Sequence, residues 1–144
     1  MNNLIKLFIL LLSLNAATAF AGTPVTLYKS PDCGCCEKYV EYLEQNGFTV
    51  KAINEDNMDA IKKRYGMAKA ASCHTALIGG YVVEGHVPVH AIRKMLSEKP
   101  AIVGISAPGM PQHSPGMGEE RPGTLTIYAI PKKNAKPVTV FSVE

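Results

Sequence analysis

Three of the four cysteines stand within four positions, Cys33-Gly34-Cys35-Cys36, where a segment with strand periodicity meets one with helix periodicity. Upstream, Val25-Thr-Leu-Tyr-Lys-Ser30 alternates as a half-buried strand does, and Pro31-Asp32 breaks it. Downstream from Cys36, Tyr39, Val40 and Leu43 share one helical face, Glu37, Lys38, Glu41 and Glu44 largely another, and Asn46-Gly47 closes the run. A strand leading straight into a helix opens a β-α-β unit, which commits the following chain to return to the same sheet.

The later segments keep that commitment. Phe48–Ile53 alternates again, and Asn54–Arg64 reads as a second helix with Met58 and Ile61 facing inward. Thr75–Ile78 and Tyr81–Val83 flank Gly79-Gly80, a pair that supplies the positive φ angles of a two-residue hairpin turn. Val89–Glu98 forms a short helix. The order β-α-β-α-β-β-α, with cysteines at the first strand-to-helix junction, places the chain in the α/β class and resembles the thioredoxin fold. After Pro100 the character changes. Ala107–Gly123 is dense in Gly and Pro, holds Met110, His113 and Met117, and reads as a long loop. Leu125–Ile130 and Val138–Val143, joined through Pro131–Pro137, read as a C-terminal β-hairpin added to the sheet.

Met1–Ala21 carries one cation, Lys6, then an apolar run from Leu7 to Leu14, then small residues closing on Ala19-Phe20-Ala21. This is the pattern of a secretory signal peptide with an A-x-A cleavage site. A membrane anchor needs about 20 predominantly apolar residues, and Ser13, Asn15 and Thr18 interrupt this run. The expectation is a leader over 1–21 and one thioredoxin-like metal-binding domain over 22–144, exported, in a bacterium, to the periplasm and free of the membrane after cleavage. Composition removes other classes. Hydrophobic residues make up 47%, enough for a core, and the net charge of +3 is small and scattered, so neither wholesale disorder nor a polyanion-binding surface fits. The short runs Lys62-Lys63-Arg64 and Lys132-Lys133 read as solvated faces.

The chemistry lies in the cysteines. At the start of a helix, thiols meet unpaired backbone N–H groups and the positive end of the dipole, which favours thiolate. Gly34 lets the loop curl so that several sulfurs approach one point. Cys73-His74 precedes the third strand, on the loop that in a thioredoxin-like chain faces the Cys-x-x-Cys and there carries a proline, absent here. If Cys73 sits in extended chain, His74 points to the opposite side. Two structural disulfides are the bland alternative for an exported chain with an even cysteine count. Against them, adjacent Cys35 and Cys36 make a poor pair, and a domain of about 120 residues with this apolar content needs no staples. Zinc suits Cys₄ or Cys₃His, but the second Cys-x₂₋₄-Cys knuckle of such sites is missing. Thiolate with thioether selects a soft ion, Cu(I), held by Cys33, Cys35, Cys36 and Cys73, with Met110, Met117, His113 and His74 as further candidate ligands. His86 and His90 bracket Pro88 and read as cap or surface imidazoles, while Met58, Met67 and Met95 read as packing residues.

At Tyr28-Lys-Ser-Pro-Asp-Cys-Gly-Cys-Cys36, Ser72-Cys-His-Thr75, Gly85-His-Val-Pro88 and Gly109-Met-Pro-Gln-His-Ser-Pro-Gly-Met117 the chain resembles the CopG-like family of exported metal-binding proteins, grouped as a domain of unknown function. The resemblance spans essentially the whole mature chain. It implies a thioredoxin-like fold, a periplasmic location, an association with copper resistance, and copper bound by Cys33, Cys35, Cys36 and Cys73. Three functions stay open at this point. The first is Cu(I) holding for copper resistance, with Cys33 and Cys36 as the disulfide pair by spacing if the site is redox-active. The second is a thiol-disulfide oxidoreductase using Cys33 as nucleophile and Cys36 as resolving thiol. The third is a chaperone passing Cu(I) to a copper-resistance partner.

Overall fold

The computed structural model describes residues 22–132 and 136–144. The leader read over 1–21 and part of the last connection lie outside the described residues. The elements are β1 (Thr23–Lys29), α1 (Gly34–Gln45), β2 (Phe48–Asn54), α2 (Met58–Arg64), a 3₁₀ turn (Ala68–Ala70), β3 (Thr75–Ile78), β4 (Tyr81–Glu84), α3 (Val89–Glu98), β5 (Ile102–Ser106), β6 (Thr126–Pro131) and β7 (Thr139–Val143). The strands form one sheet in the order β2-β1-β3-β4-β5-β6-β7. The two helical crossovers, α1 and α3, join parallel pairs, β1 with β2 and β4 with β5, and the remaining pairs are antiparallel. Among the described residues no helix is long and apolar enough to cross a membrane.

Alternation along the strands sends side chains to two cores. Val25, Leu27, Ala76, Ile78, Val83, Ile105 and Ile127 pack with Tyr39 and Leu43 of α1 and Ile92 and Met95 of α3. Leu77, Val82, Val103 and Ile130 pack on the other face with Tyr65, Met67 and Ala70, around the 3₁₀ turn. The central strands are therefore apolar on both faces, which explains why Thr75–Ile78 and Tyr81–Val83 read as short continuous apolar runs.

β5 is an addition to the expected order. Gly104 at its centre marks a breaker in sequence, yet in the sheet a Cβ there would run into the Val82 carbonyl of β4, so glycine admits a close parallel pairing. The Gly79-Gly80 turn has the expected positive φ at both residues, 57° and 84°. The second helix begins at Met58 rather than Asn54, with the Asn57 side chain accepting from Ala60 N as its N-cap. β6 and β7 pair antiparallel at the sheet edge. One reading needs correction: Lys62 is not on a solvated face. It lies 6% exposed and donates to Glu84 at 2.5 Å, because the last turn of α2 packs against the sheet.

Candidate metal centre

β1 ends in a turn closed by Cys33 N donating to Ser30 O at 3.2 Å, and α1 begins immediately after it. Cys33 holds the N-cap position without a capping side chain, and its carbonyl accepts from Cys36 N and Glu37 N at 3.1 and 3.3 Å. The first turn of α1 is tied back to the strand below it. Lys29, buried on the α1 side of β1, pairs with Glu37 at 2.6 Å and donates to Asn54 of β2 at 2.9 Å. Fixing this junction fixes the three cysteines it carries.

Cys73 arrives from the other side, just before β3. A buried carboxylate holds its segment: Glu84 of β4 accepts from Ser72 N at 2.7 Å, from the Thr75 hydroxyl at 2.6 Å, and from Lys62 at 2.5 Å. From outside, Ser72 and Gly109 form an isolated bridge, with the Ser72 hydroxyl donating to Gly109 O and Gly109 N to Ala71 O at 3.0 Å. Since β1 and β3 are antiparallel neighbours, the end of β1 and the start of β3 lie at the same edge of the sheet.

The sulfurs meet there. Cys35 Sγ lies 3.5 Å from Cys33 Sγ and 3.7 Å from Cys73 Sγ, and all three fall within 4.8 Å of one another. Two metal–sulfur bonds of about 2.3 Å at a trigonal or tetrahedral angle span roughly 4 Å between sulfurs, so the spacing fits a shared soft ion. Cys33 is joined to Cys36 in a disulfide, with Cα atoms 5.3 Å apart, while Cys35 and Cys73 are free. All four expected cysteines therefore lie at one locus, two as a disulfide and two as thiols. Reducing the disulfide releases two further sulfur donors. Burial, and then the neighbouring Cys35 sulfur, push the Cys73 thiol up to about 11, against a smaller opposing pull from Lys62, so Cys73 carries its proton at neutral pH.

The other expected ligands are distributed differently. Met110 is 63% exposed, and Met117 and His113 are partly buried in a loop that is docked rather than free. The Gly109 bridge fastens its start, Pro115 O contacts His86 Nδ1 at 2.7 Å, and a Cβ at Gly116 would lie 3.1 Å from Tyr39 N of α1. His74 sits apart from the sulfur trio, fully buried, its ring 4.5 Å from Tyr39 and 4.9 Å from His86. His86 is thus a buried imidazole, not a cap or surface one, because β4 carries the chain inward before Pro88 starts α3. His90 behaves as expected: exposed, 2.9 Å from Glu144.

An α/β sheet that brings thiols from two separate loops to one edge defines a protein built around a cysteine centre suited to a thiophilic metal. Residues 70–117 match a family described as "Protein of unknown function, DUF411". Two solved structures, "Copper resistance protein copG- Form 2" and "Form 1", superpose with a TM-score of 0.76 at 34% identity, covering 85% of this chain and 98% of theirs. No curated protein sequence matches the chain significantly. The chain belongs to the family of the copper resistance protein CopG. Family membership and the cysteine group together support a copper-related role.

Proposed function

We propose that this protein holds copper as Cu(I) on the thiolates of Cys33, Cys35, Cys36 and Cys73 and contributes to copper resistance in the periplasm. The convergence of Cys33, Cys35 and Cys73 sulfurs within 4.8 Å carries the reading. Soft thiolate donors select Cu(I) over harder ions, and the two similar structures are copper resistance proteins. The first four strands and their helices support the thioredoxin-like reading through their order and pairing directions. The leader pattern in the sequence over 1–21 is the support for export. Met110, Met117 and His113 add weaker donors from the docked loop.

The Cys33–Cys36 disulfide supports a linked redox role. Two thiols closing to one disulfide release two electrons and two protons, and two Cu(II) ions take up those electrons to become two Cu(I). The same disulfide favours a second reading, a thiol-disulfide oxidoreductase acting through Cys33 and Cys36. Anaerobic titration of the reduced protein with Cu(I) against a competing chelator tests the first. Retention of Cu(I), weakened at least tenfold in Cys35→Ser, is expected. A protein that yields its copper to a moderate chelator, while Cys35→Ser keeps full disulfide-reductase activity, would establish the second reading instead.

A further inference from the structure

On the inner side of the docked loop two imidazoles are buried together. His74 and His86 have no exposure, and their rings meet edge-on at 4.9 Å and 65°. Tyr39 of α1 packs against both, at 4.5 and 5.1 Å, with its hydroxyl committed to Val87 O at 2.7 Å. The Gly85 backbone is the one polar group that pulls on the His74 ring, and neither His74 nitrogen nor His86 Nε2 makes a hydrogen bond of good geometry among the described residues. Burying ring nitrogens without well-made hydrogen bonds costs free energy, and apolar side chains would fill the same space without that cost, so the nitrogens call for an explanation.

His86 is prepared as a ligand. Its Nδ1 stands 2.7 Å from Pro115 O, an acceptor only, which assigns the proton to Nδ1 and leaves Nε2 a bare, buried lone pair. Donation of the second ring N–H to a backbone carbonyl is the usual support of a metal-ligating histidine. The spacing fits as well. A ring nitrogen sits about 1.1 Å from its ring centre, so an ion about 2.0–2.1 Å from one nitrogen of each ring stands about 3.2 Å from both centres. With one nitrogen of each ring turned to a common point, the 4.9 Å between centres subtends about 100° at the ion, near the tetrahedral angle.

We propose that His74 and His86 form a nitrogen-donor copper site under the docked loop, separate from the thiolate trio and supported by the Pro115 carbonyl. Cys36 is buried one helical turn from Tyr39, on the same face of α1, so the disulfide that feeds sulfur to the outer centre borders this inner one. The inference extends the proposed copper role and rests on that reading for the choice of metal.

The test uses two backgrounds. In Cys35→Ser/Cys73→Ser with the Cys33–Cys36 disulfide intact there is no free thiol, so added Cu(II) stays Cu(II). One Cu(II) per chain, retained through desalting and showing electron paramagnetic resonance superhyperfine coupling to two imidazole nitrogens, is expected. Adding His86→Asn, whose amide still donates to Pro115 O but lacks Nε2, abolishes it. In the reduced parent protein, His74→Leu lowers Cu(I) stoichiometry by one ion and leaves the thiolate-to-copper ultraviolet absorption in place. Copper-free His74→Leu melts no lower than the parent, which separates a ligand from a packing residue. Absence of bound Cu(II) in the double-serine protein, copper without nitrogen coupling, or occupancy unchanged by His86→Asn overturns the inference. A double-serine protein that binds Cu(II) through nitrogen while the reduced parent retains no Cu(I) keeps this site and sinks the thiolate reading.

Discussion

Removing the charge on Lys62 tests what holds Cys73 in place. Glu84 has no exposure and accepts three hydrogen bonds, at 2.5 Å from Lys62, 2.6 Å from Thr75 and 2.7 Å from Ser72 N. Lys62→Met strips the cation and leaves a buried carboxylate. Deleting one partner of a buried pair costs about 3–5 kcal/mol. The two surviving hydrogen bonds still compensate the carboxylate in part, which places the expected loss near the lower end, about 3 kcal/mol. For a domain of this length that lowers Tm by roughly 10–15 °C. Glu84→Gln strands Lys62, whose next partner is the Thr75 hydroxyl at 3.4 Å, and costs a similar amount. The double variant Lys62→Met/Glu84→Gln carries no buried charge, and its amide can still serve Ser72 N and Thr75. It recovers much of the loss, giving a coupling of about 2 kcal/mol in the double-mutant cycle.

Urea melts followed by circular dichroism, on copper-free protein with the Cys33–Cys36 disulfide closed throughout, measure all four corners of the cycle. Single variants within 1 kcal/mol of the parent, or a coupling near zero, would refute the account of the Cys73 segment as clamped by this pair. A second readout is chemical. Lys62 opposes the rise of the Cys73 thiol, so Lys62→Met moves Cys73 ionisation further up from about 11, and its alkylation at alkaline pH slows. Purely structural loosening exposes the thiol and speeds alkylation, the opposite sign.

Other perturbations follow from the same geometry. Above pH about 6.5 His74 and His86 are neutral whether the chain is folded or not. Below it the unfolded chain takes protons that the folded one refuses, so stability falls with acidification, by at most about 1.4 kcal/mol per pH unit for each imidazole and only until the folded chain protonates it too. His74→Leu should remove one proton's worth of that slope in pH-dependent melts, and an unchanged slope would contradict the assignment. Because Cys73 holds its proton up to about 11, loading copper on the trio must expel it; affinity rises with pH by tenfold per unit per proton displaced, measurable by chelator competition at several pH values. Gly85→Ala combines a φ of 75° with a Cβ that would lie 2.8 Å from Ala107 O and closer still to the Ser72 side chain. A loss of about 2–4 kcal/mol is expected, with weaker copper retention because Ser72 adjoins Cys73, and a variant as stable as the parent would show that the segment yields freely.

How much of this was legible beforehand depends on whether the cause was local. Hydrophobic period and turn glycines placed β1, α1, β2, β3, β4 and α3 within a few residues, since each has its own apolar face and stop signal. The grouping of Cys33, Cys35 and Cys73 was legible once the β-α order put the end of β1 beside the start of β3. β5 was not, because five residues around Gly104 carry no alternation, and only the approach of Val82 explains the glycine. Lys62 looked like surface because charge runs usually are; its partner Glu84 is 22 residues away and gives no local signal. His86 was missed for a reason the sequence could have supplied. The Gly79-Gly80 turn pairs Thr75 with Glu84, and continuing that register one step sets His74 beside Gly85, next to His86.

The centre is assembled from two loops that the fold anchors independently. The cysteine turn rests on Lys29 at the end of β1 and Glu37 in the first turn of α1, and the Cys73 segment on Glu84 and Lys62 behind β3, with Ser72 and Gly109 closing it from outside. Neither anchor uses a cysteine. Opening the Cys33–Cys36 disulfide therefore adds two sulfur donors while the backbone on both sides stays tied, and the ion meets a site that costs little ordering to form. Replacing the anchors should degrade metal retention even where every cysteine remains. Replacing Cys36 should leave the anchors and the Cys35–Cys73 spacing of 3.7 Å intact while removing the Cys33–Cys36 disulfide couple. Position and chemistry are thus separable in this protein, and a Cys36→Ser chain that still binds Cu(I) but can reduce Cu(II) only by closing a different cysteine pair is the outcome that separation requires.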